Sequence, residues 1–163
     1  MVSKSVFVLG RRGFSVIELL VVVGITGLIT ASSLPWMLTY WRSAALRAGA
    51  EELAAGLNNG RQLAISQAQR VCVEVVNNQY RYRLTGCGGA AWIGPGTLAN
   101  GFFAMSNNIG IAANANVNPV FDYLGAANPG ATITVTNPQG GVALSVVVSV
   151  AGRVRICPTA GCP

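Results

Sequence analysis

Glu18 is a lone carboxylate set among Phe14, Val16, Ile17, Leu19 and Leu20, in a run that stays apolar or small from Phe14 to Leu34. A charge at a bilayer centre costs roughly 2.5–3.5 kcal/mol on insertion scales, so it calls for a cation as partner. Arg11 and Arg12 stand just before the run, followed by Gly13. Charge gathers again near the C-terminus, where Arg153 and Arg155 alternate with Val154 and Ile156. In a strand those two arginines project from one face about 6.6–6.8 Å apart. Guanidiniums so placed suit successive phosphates, each fork fitting phosphate oxygens, and such contacts read charge rather than base sequence. Gly152 leaves the preceding turn without a side chain, open to a close backbone approach. The plainer use of this segment is a hairpin edge kept soluble and unpaired by its charges. Arg81 and Arg83 form a second same-face pair that alternates with Tyr80 and Tyr82. Bases can stack on tyrosines, but tyrosines turned inward onto a helix are the favoured reading.

None of these groups has the make-up of an enzyme. The chain has no histidine, which removes the commonest general base and metal ligand. Its five acids include the isolated Glu74 and Asp122, too sparse for paired-carboxylate chemistry. Gly13-Phe14-Ser15 lacks the second glycine of a nucleophile elbow, and Gly94-Pro95-Gly96 lacks the spacing of a dinucleotide fingerprint. No catalytic residue, metal site or cofactor is expected.

The elements that must carry Glu18 and the arginines follow from hydropathy. The apolar run is long enough for one helix across a bilayer, which needs roughly 20 residues, and it exceeds the core of about 7–15 residues in a cleaved secretory signal. The arginines before it keep the N-terminus cytoplasmic and send the rest outward. A plain anchor explains the length but leaves Glu18 unaccounted for. Gly24 and Gly27 loosen the helix, Pro35 is expected to interrupt or kink it, and Trp36, Tyr40 and Trp41 form an interfacial aromatic belt. Beyond them Leu46, Ala50, Leu53, Leu57 and Ala64 mark a single helix face, with Arg42, Arg47, Glu51, Glu52, Arg61 and Arg70 on flanks expected to be solvated. The helix is predicted to run from Phe14 to about Gln69.

After Arg70 the period changes to two. Val71–Val76 and Gln79–Leu84 flank Asn77-Asn78, a pair suited to a tight hairpin turn, which sets Glu74 opposite Arg81. Thr85 to Gly101 is glycine-rich, with Trp92 as its one large anchor. Short strands are expected near Gly101–Met105, Asn108–Ala113 and Pro119–Gly125. Thr132–Thr136 and Val142–Val150 are clearer strands around the turn signal Asn137–Gly141, and Ala151-Gly152 turns the chain into Arg153–Cys157. The fold class is α+β, a long helix packed on a mostly antiparallel sheet. On the exported side the four cysteines favour disulfides, and their spacings match no zinc ribbon. Three pairings are open, of which Cys72 with Cys87 and Cys157 with Cys162 is favoured. Either bridge adds roughly 2–4 kcal/mol to a small β domain.

Gly13-Phe14-Ser15-Val16-Ile17-Glu18, followed by Leu19-Leu20-Val21-Val22-Val23, resembles the type III signal of type IV pilins and type II secretion pseudopilins. The resemblance implies that a prepilin peptidase cuts after Gly13, that Phe14 becomes the methylated N-terminus, and that Glu18 pairs with the terminal amine of a neighbouring subunit. It divides the chain into a leader (1–13), a transmembrane half-helix (14–35), an amphipathic half-helix (36–70) and a β-rich head (71–163). The formal charge of +6 then halves, since Lys4, Arg11 and Arg12 leave with the leader, and every remaining cation is an arginine. That modest excess suits an anionic partner. Gly152-Arg153-Val154-Arg155 resembles the Gly-Arg-x-Arg element near the C-terminus of the GspH/FimT group, several of whose members are minor pilins linked to DNA uptake. The implied protein is pilin-like, inserted once in the inner membrane with its head in the periplasm, then moved into a pilus or pseudopilus beside other pilins. Two functions follow: a minor pilin binding DNA for uptake in natural transformation, or a minor pseudopilin acting structurally at the tip of a type II secretion pseudopilus.

Overall fold

The computed structural model describes residues 14–163 apart from 107–108, 115–116, 141 and 159–163, and apart from the side chains of 33–35. The expected leader, and with it Gly13, lies outside the described residues, as does the side chain of Pro35, where a kink was expected. The chain begins with one helix, α1 (Val16–Ser66), and divides after Leu38 into two units.

The first unit is the start of α1. Its hydroxyls turn back onto the helix: Thr26 Oγ1 donates to the Val22 carbonyl at 2.8 Å, Thr30 Oγ1 to Thr26 at 2.7 Å and Ser32 Oγ to Leu28 at 2.9 Å. Such back-bonding satisfies these hydroxyls within the helix, so apart from Glu18 what faces outward is mostly hydrocarbon. Every side chain from Phe14 to Ser32 is exposed. Among the described residues no single straight helix is long and apolar enough to cross a membrane, but Val16–Ser32 and Trp36–Ser66 together meet that requirement by length and composition.

The second unit packs the rest of α1 on eight strands. Leu46, Ala50, Leu53, Leu57 and Ala64 are all buried, which is the face the apolar spacing marks. Three glycines share it. A Cβ on Gly56 would lie 2.6 Å from Tyr80 Oη, on Gly60 2.8 Å from Val73 Cγ2, and on Gly49 2.9 Å from Ile109. Their missing side chains let the strands close onto the helix. The helix stops with Ala68 at φ 50°, where Gln69 N–H donates to the Ala64 carbonyl and Ala68 N–H to Ile65, both at 3.2 Å. That is a left-handed C-terminal cap.

Strands β1 (Val71–Val76), β2 (Gln79–Leu84), β3 (Phe102–Ala104) and β5 (Val120–Phe121) form one sheet in the order β3-β2-β1-β5. Strands β4 (Gly110–Ala113), β6 (Ala131–Thr136), β7 (Leu144–Val148) and β8 (Val154–Pro158) form another in the order β4-β6-β7-β8. All pairings are antiparallel, as expected, but in two sheets where the sequence suggested one. The split arises because β3 pairs with β2 while β4 pairs with β6, so the chain changes sheets between them, with Ile109 buried on the way. Two asparagine side chains clasp backbone across strands, Asn78 between the two sheets and Asn118, just before β5, onto β1 within the first sheet. Asn78 Oδ1 accepts from Ile111 N–H at 3.2 Å and Asn118 Oδ1 from Val75 N–H at 3.0 Å. The core beneath holds Val71, Val73, Phe121, Ile133, Val135 and Val146, all fully buried.

The first hairpin follows its sequence closely. Asn77 and Asn78 take φ of 50° and 62°, and Glu74 stands opposite Arg81 in the register. Cys72 is bonded to Cys87, which pins β1 to the loop after β2. Cys157 is also disulfide-bonded, while Cys162, its expected partner, lies outside the described residues.

Glu74 binds two arginines, Arg81 through Nε and Arg83 through Nε at 2.7 Å. Burial alone would raise its pKa, but hydrogen bonds and attraction from both guanidiniums outweigh it and hold the carboxyl below the usual range. A carboxylate depressed in the folded state adds stability above its unfolded pKa, which is lost as pH falls through the folded one. Acid melting should therefore show a loss below the ordinary carboxylate range that Glu74→Gln abolishes. A parallel stability–pH curve for that variant would refute the triad's contribution.

Candidate filament-assembly and nucleic-acid surfaces

Glu18 lies in the first turn of α1, where the helix dipole favours a carboxylate by about 0.3–1 kcal/mol. It is exposed, and among the described residues no cation pairs with it. Phe14, just before the helix, is 79% exposed. One end of the chain thus carries an unpaired acid on an uncovered apolar rod.

The C-terminal arginines stand on the β7–β8 hairpin. Gly152 N–H donates to the Ser149 carbonyl at 2.8 Å, Ser149 N–H to the Arg153 carbonyl at 2.9 Å and Arg153 N–H to Ser149 Oγ at 3.2 Å. These bonds lock a turn over residues 149–153. Arg153 precedes β8 rather than opening it, and Arg155 sits in the ladder opposite Val147. Both arginines are exposed, while Val154 packs against the core. β8 is the last strand of its sheet.

Gly152 plays a different part from the one its sequence suggests. It is buried, with φ 75°, and an added Cβ would lie 1.9 Å from the Gly125 carbonyl oxygen. Its bareness serves a neighbouring turn rather than an open surface. That neighbour is held by Asp122, whose Oδ1 accepts from Leu124 N–H and Ala126 N–H, both at 2.9 Å. Ala127 N–H donates to the Val150 carbonyl at 2.9 Å, so the two turns are stitched side by side. Arg61 of α1, expected on a solvated flank, reaches this junction and is half-buried there.

The other candidate pair, Arg81 and Arg83, lies on β2. Arg81 and Arg83 both bind Glu74, and the Arg81 guanidinium also lies over the Phe102 ring, 4.3 Å from its centroid. Tyr80 and Tyr82 face inward as favoured, both buried. Tyr82 Oη donates to the Gly56 carbonyl at 2.7 Å, and burial pushes both phenols to higher pKa, with the Glu52 charge adding to Tyr80 and the ionisable Tyr80 hydroxyl to Tyr82. Trp92 leans on Tyr82 with ring centroids 5.8 Å apart, anchoring the glycine-rich loop. The glycines at 49, 56 and 60 escaped the sequence reading, although their spacing of seven and four repeats the helix face.

A helix laid on antiparallel sheets, with an uncovered apolar N-terminal stretch, defines a pilin-like subunit. The family model for the type II transport protein GspH matches residues 49–152, more than half of the chain, so the protein belongs to the GspH family of minor pilins and pseudopilins. Members of this family are membrane-anchored, assemble with other pilins and serve as structural subunits rather than enzymes. The match ends at Gly152, before Arg153 and Arg155. Among solved structures, the type IV minor pilin FimU of Pseudomonas aeruginosa is similar with a TM-score of 0.55 and 18% identity, over 76% of this chain and 96% of FimU. Escherichia coli GspH is similar with a TM-score of 0.54 and 16% identity, over 71% and 89%. The minor pseudopilin EpsH of the Vibrio cholerae type 2 secretion system is similar with a TM-score of 0.53 and 10% identity, over 71% and 98%. At these identities the likeness is one of fold. No curated protein sequence matches the chain.

Proposed function

We propose that this subunit is a minor type IV pilin that is cut between Gly13 and Phe14, methylated at Phe14, drawn from the inner membrane into a pilus, and binds DNA without sequence preference through Arg153 and Arg155. The apolar surface from Phe14 to Ser32 has no cover among the described residues, and apolar patches of that extent mark a membrane or a partner interface. Sibling helices in a filament supply that cover, and the terminal amine of the next subunit supplies the cation for Glu18. The DNA contact rests on one observation: two exposed arginines, one just before and one within an edge strand, flank Val154, which packs against the core. Gly152 contributes by shaping the turn that presents them.

Titrating the full-length protein in detergent micelles against duplex DNA at several salt concentrations tests this reading. Arg153→Ala and Arg155→Ala should each weaken binding and flatten the log–log salt dependence by about 0.9 per lost phosphate contact. Absence of binding at low salt would sink the DNA reading. A second reading is then favoured by the family match that stops at Gly152: a type II secretion pseudopilin at the pseudopilus tip, for which the arginine hairpin is only a solubilising edge.

A further inference from the structure

The Arg61 guanidinium is buried at Nε without an acceptor. It rises from α1 to the junction of the two stitched turns. Its Nε lies 2.8 Å from where a Cβ of Gly125 would be and 3.3 Å from where one of Gly152 would be, and Nη2 lies 3.3 Å from the former. Two glycines with positive φ therefore make the slot that holds this side chain. The residue after Gly152 in the chain is Arg153. No acid faces Arg61 from the turns beside it, because the one carboxylate there, Asp122, is engaged by Leu124 and Ala126 N–H. An unpaired charge kept half-buried is unfavourable unless something else supplies the counter-charge. That penalty is relieved by an anion at the same surface.

From this we infer that Arg61 is a third phosphate-binding group of the arginine hairpin, presented from α1 through the Gly125–Gly152 slot beside Arg153. The inference rests on the DNA reading and deepens it. The nucleic acid backbone would lie across the two turns, with Arg153 and Arg155 from β8's end of the site and Arg61 from the helix. Gly125 and Gly152 then have a common purpose, since a side chain at either would displace the guanidinium. Being held at Nε between the two glycine turns, Arg61 gives up little side-chain freedom on binding, which favours a contact of this kind over one from a mobile surface cation.

The test compares Arg61→Lys, Arg61→Met, Arg153→Ala and the parent, full-length in micelles, by salt-dependent titration with a fluorescent duplex of random sequence. Arg61→Met keeps the stem's packing and removes the charge. It should weaken binding several-fold at low salt and flatten the log–log slope by about 0.9, like Arg153→Ala. Arg61→Lys should retain the parent's slope. A residue that merely props the turns would give Lys and Met variants with the same slope, and that result overturns the inference. If Arg61→Met keeps the parent's affinity and slope while Arg153→Ala loses both, Arg61 is excluded and the DNA reading stands. If the parent itself fails to bind, both fall. Equal melting temperatures of the Met variant and the parent show that the fold is retained; should Met unfold the protein, the Arg61→Gln variant, which keeps polarity without charge, takes its place under the same two criteria.

Discussion

Replacing Glu18 by leucine is expected to leave the protein membrane-inserted but to remove it from filaments. Insertion should if anything improve, because a carboxylate within a span is unfavourable, by up to roughly 2.5–3.5 kcal/mol at the bilayer centre. Assembly is where the loss falls. In a filament the amine of Phe14 from a neighbouring subunit would be buried among apolar helices, and removing its carboxylate partner leaves an uncompensated charge worth about 3–5 kcal/mol. At 1.4 kcal/mol per decade that is a fall in incorporation of about two orders of magnitude or more. Glu18→Gln should fail nearly as badly, since an amide hydrogen-bonds but does not neutralise. Immunoblots of sheared filaments against membrane fractions read this directly, and mass spectrometry of the same filaments should find an N-methylated Phe14 as the first residue. Normal incorporation of the leucine variant, or a terminus still at Met1, would overturn the assembly reading.

Much of this architecture could be read from the residues because it rests on short-range patterns. The apolar run, the helix face through Leu46, Leu53 and Leu57, the Asn77-Asn78 turn and the Glu74–Arg81 pairing all follow from neighbours within a few positions. What could not be read depends on contacts far apart in sequence. Nothing near Asn78 or Asn118 shows that their side chains will clasp backbone N–H groups on another strand, and nothing near β3 or β4 shows that one will pair with β2 and the other with β6, which is why two sheets looked like one. The middle strands, β3 to β5, are two to four residues long and carry too few alternations to fix a partner. The candidate site was half legible for the same reason. Arg153 and Arg155 announce themselves by alternation, but Arg61 sits on a helix flank more than 90 residues earlier, where its charge signals solvent. Only the pairing of two glycine turns over it reveals otherwise, and Gly152 changed from an opening in the surface to a packing element.

Gly152→Ala should be among the most damaging single-methyl additions in the head, and a control can separate its two causes. Gly140 has φ 91° with nothing within 4 Å of an added Cβ, so Gly140→Ala reports the conformational penalty alone, about 1–3 kcal/mol. Gly152 has φ 75° and carries that penalty too, but its Cβ would also stand 1.9 Å from the Gly125 carbonyl oxygen. Backbone on backbone cannot rotate away, so the turns must part, and the Ala127–Val150 and Gly152–Ser149 hydrogen bonds between and within them are put at risk. Thermal melting should rank Gly152→Ala clearly below Gly140→Ala, by several degrees, since for a chain of this size each kcal/mol moves the midpoint by roughly 2–4 °C. DNA titration should rank them the same way, because parting the turns displaces Arg61 and Arg153 without removing a charge. Equal midpoints for the two variants would mean that the Gly125–Gly152 contact contributes nothing to the fold. Equal midpoints with unequal DNA affinity would place the contact's value wholly in presenting the arginines.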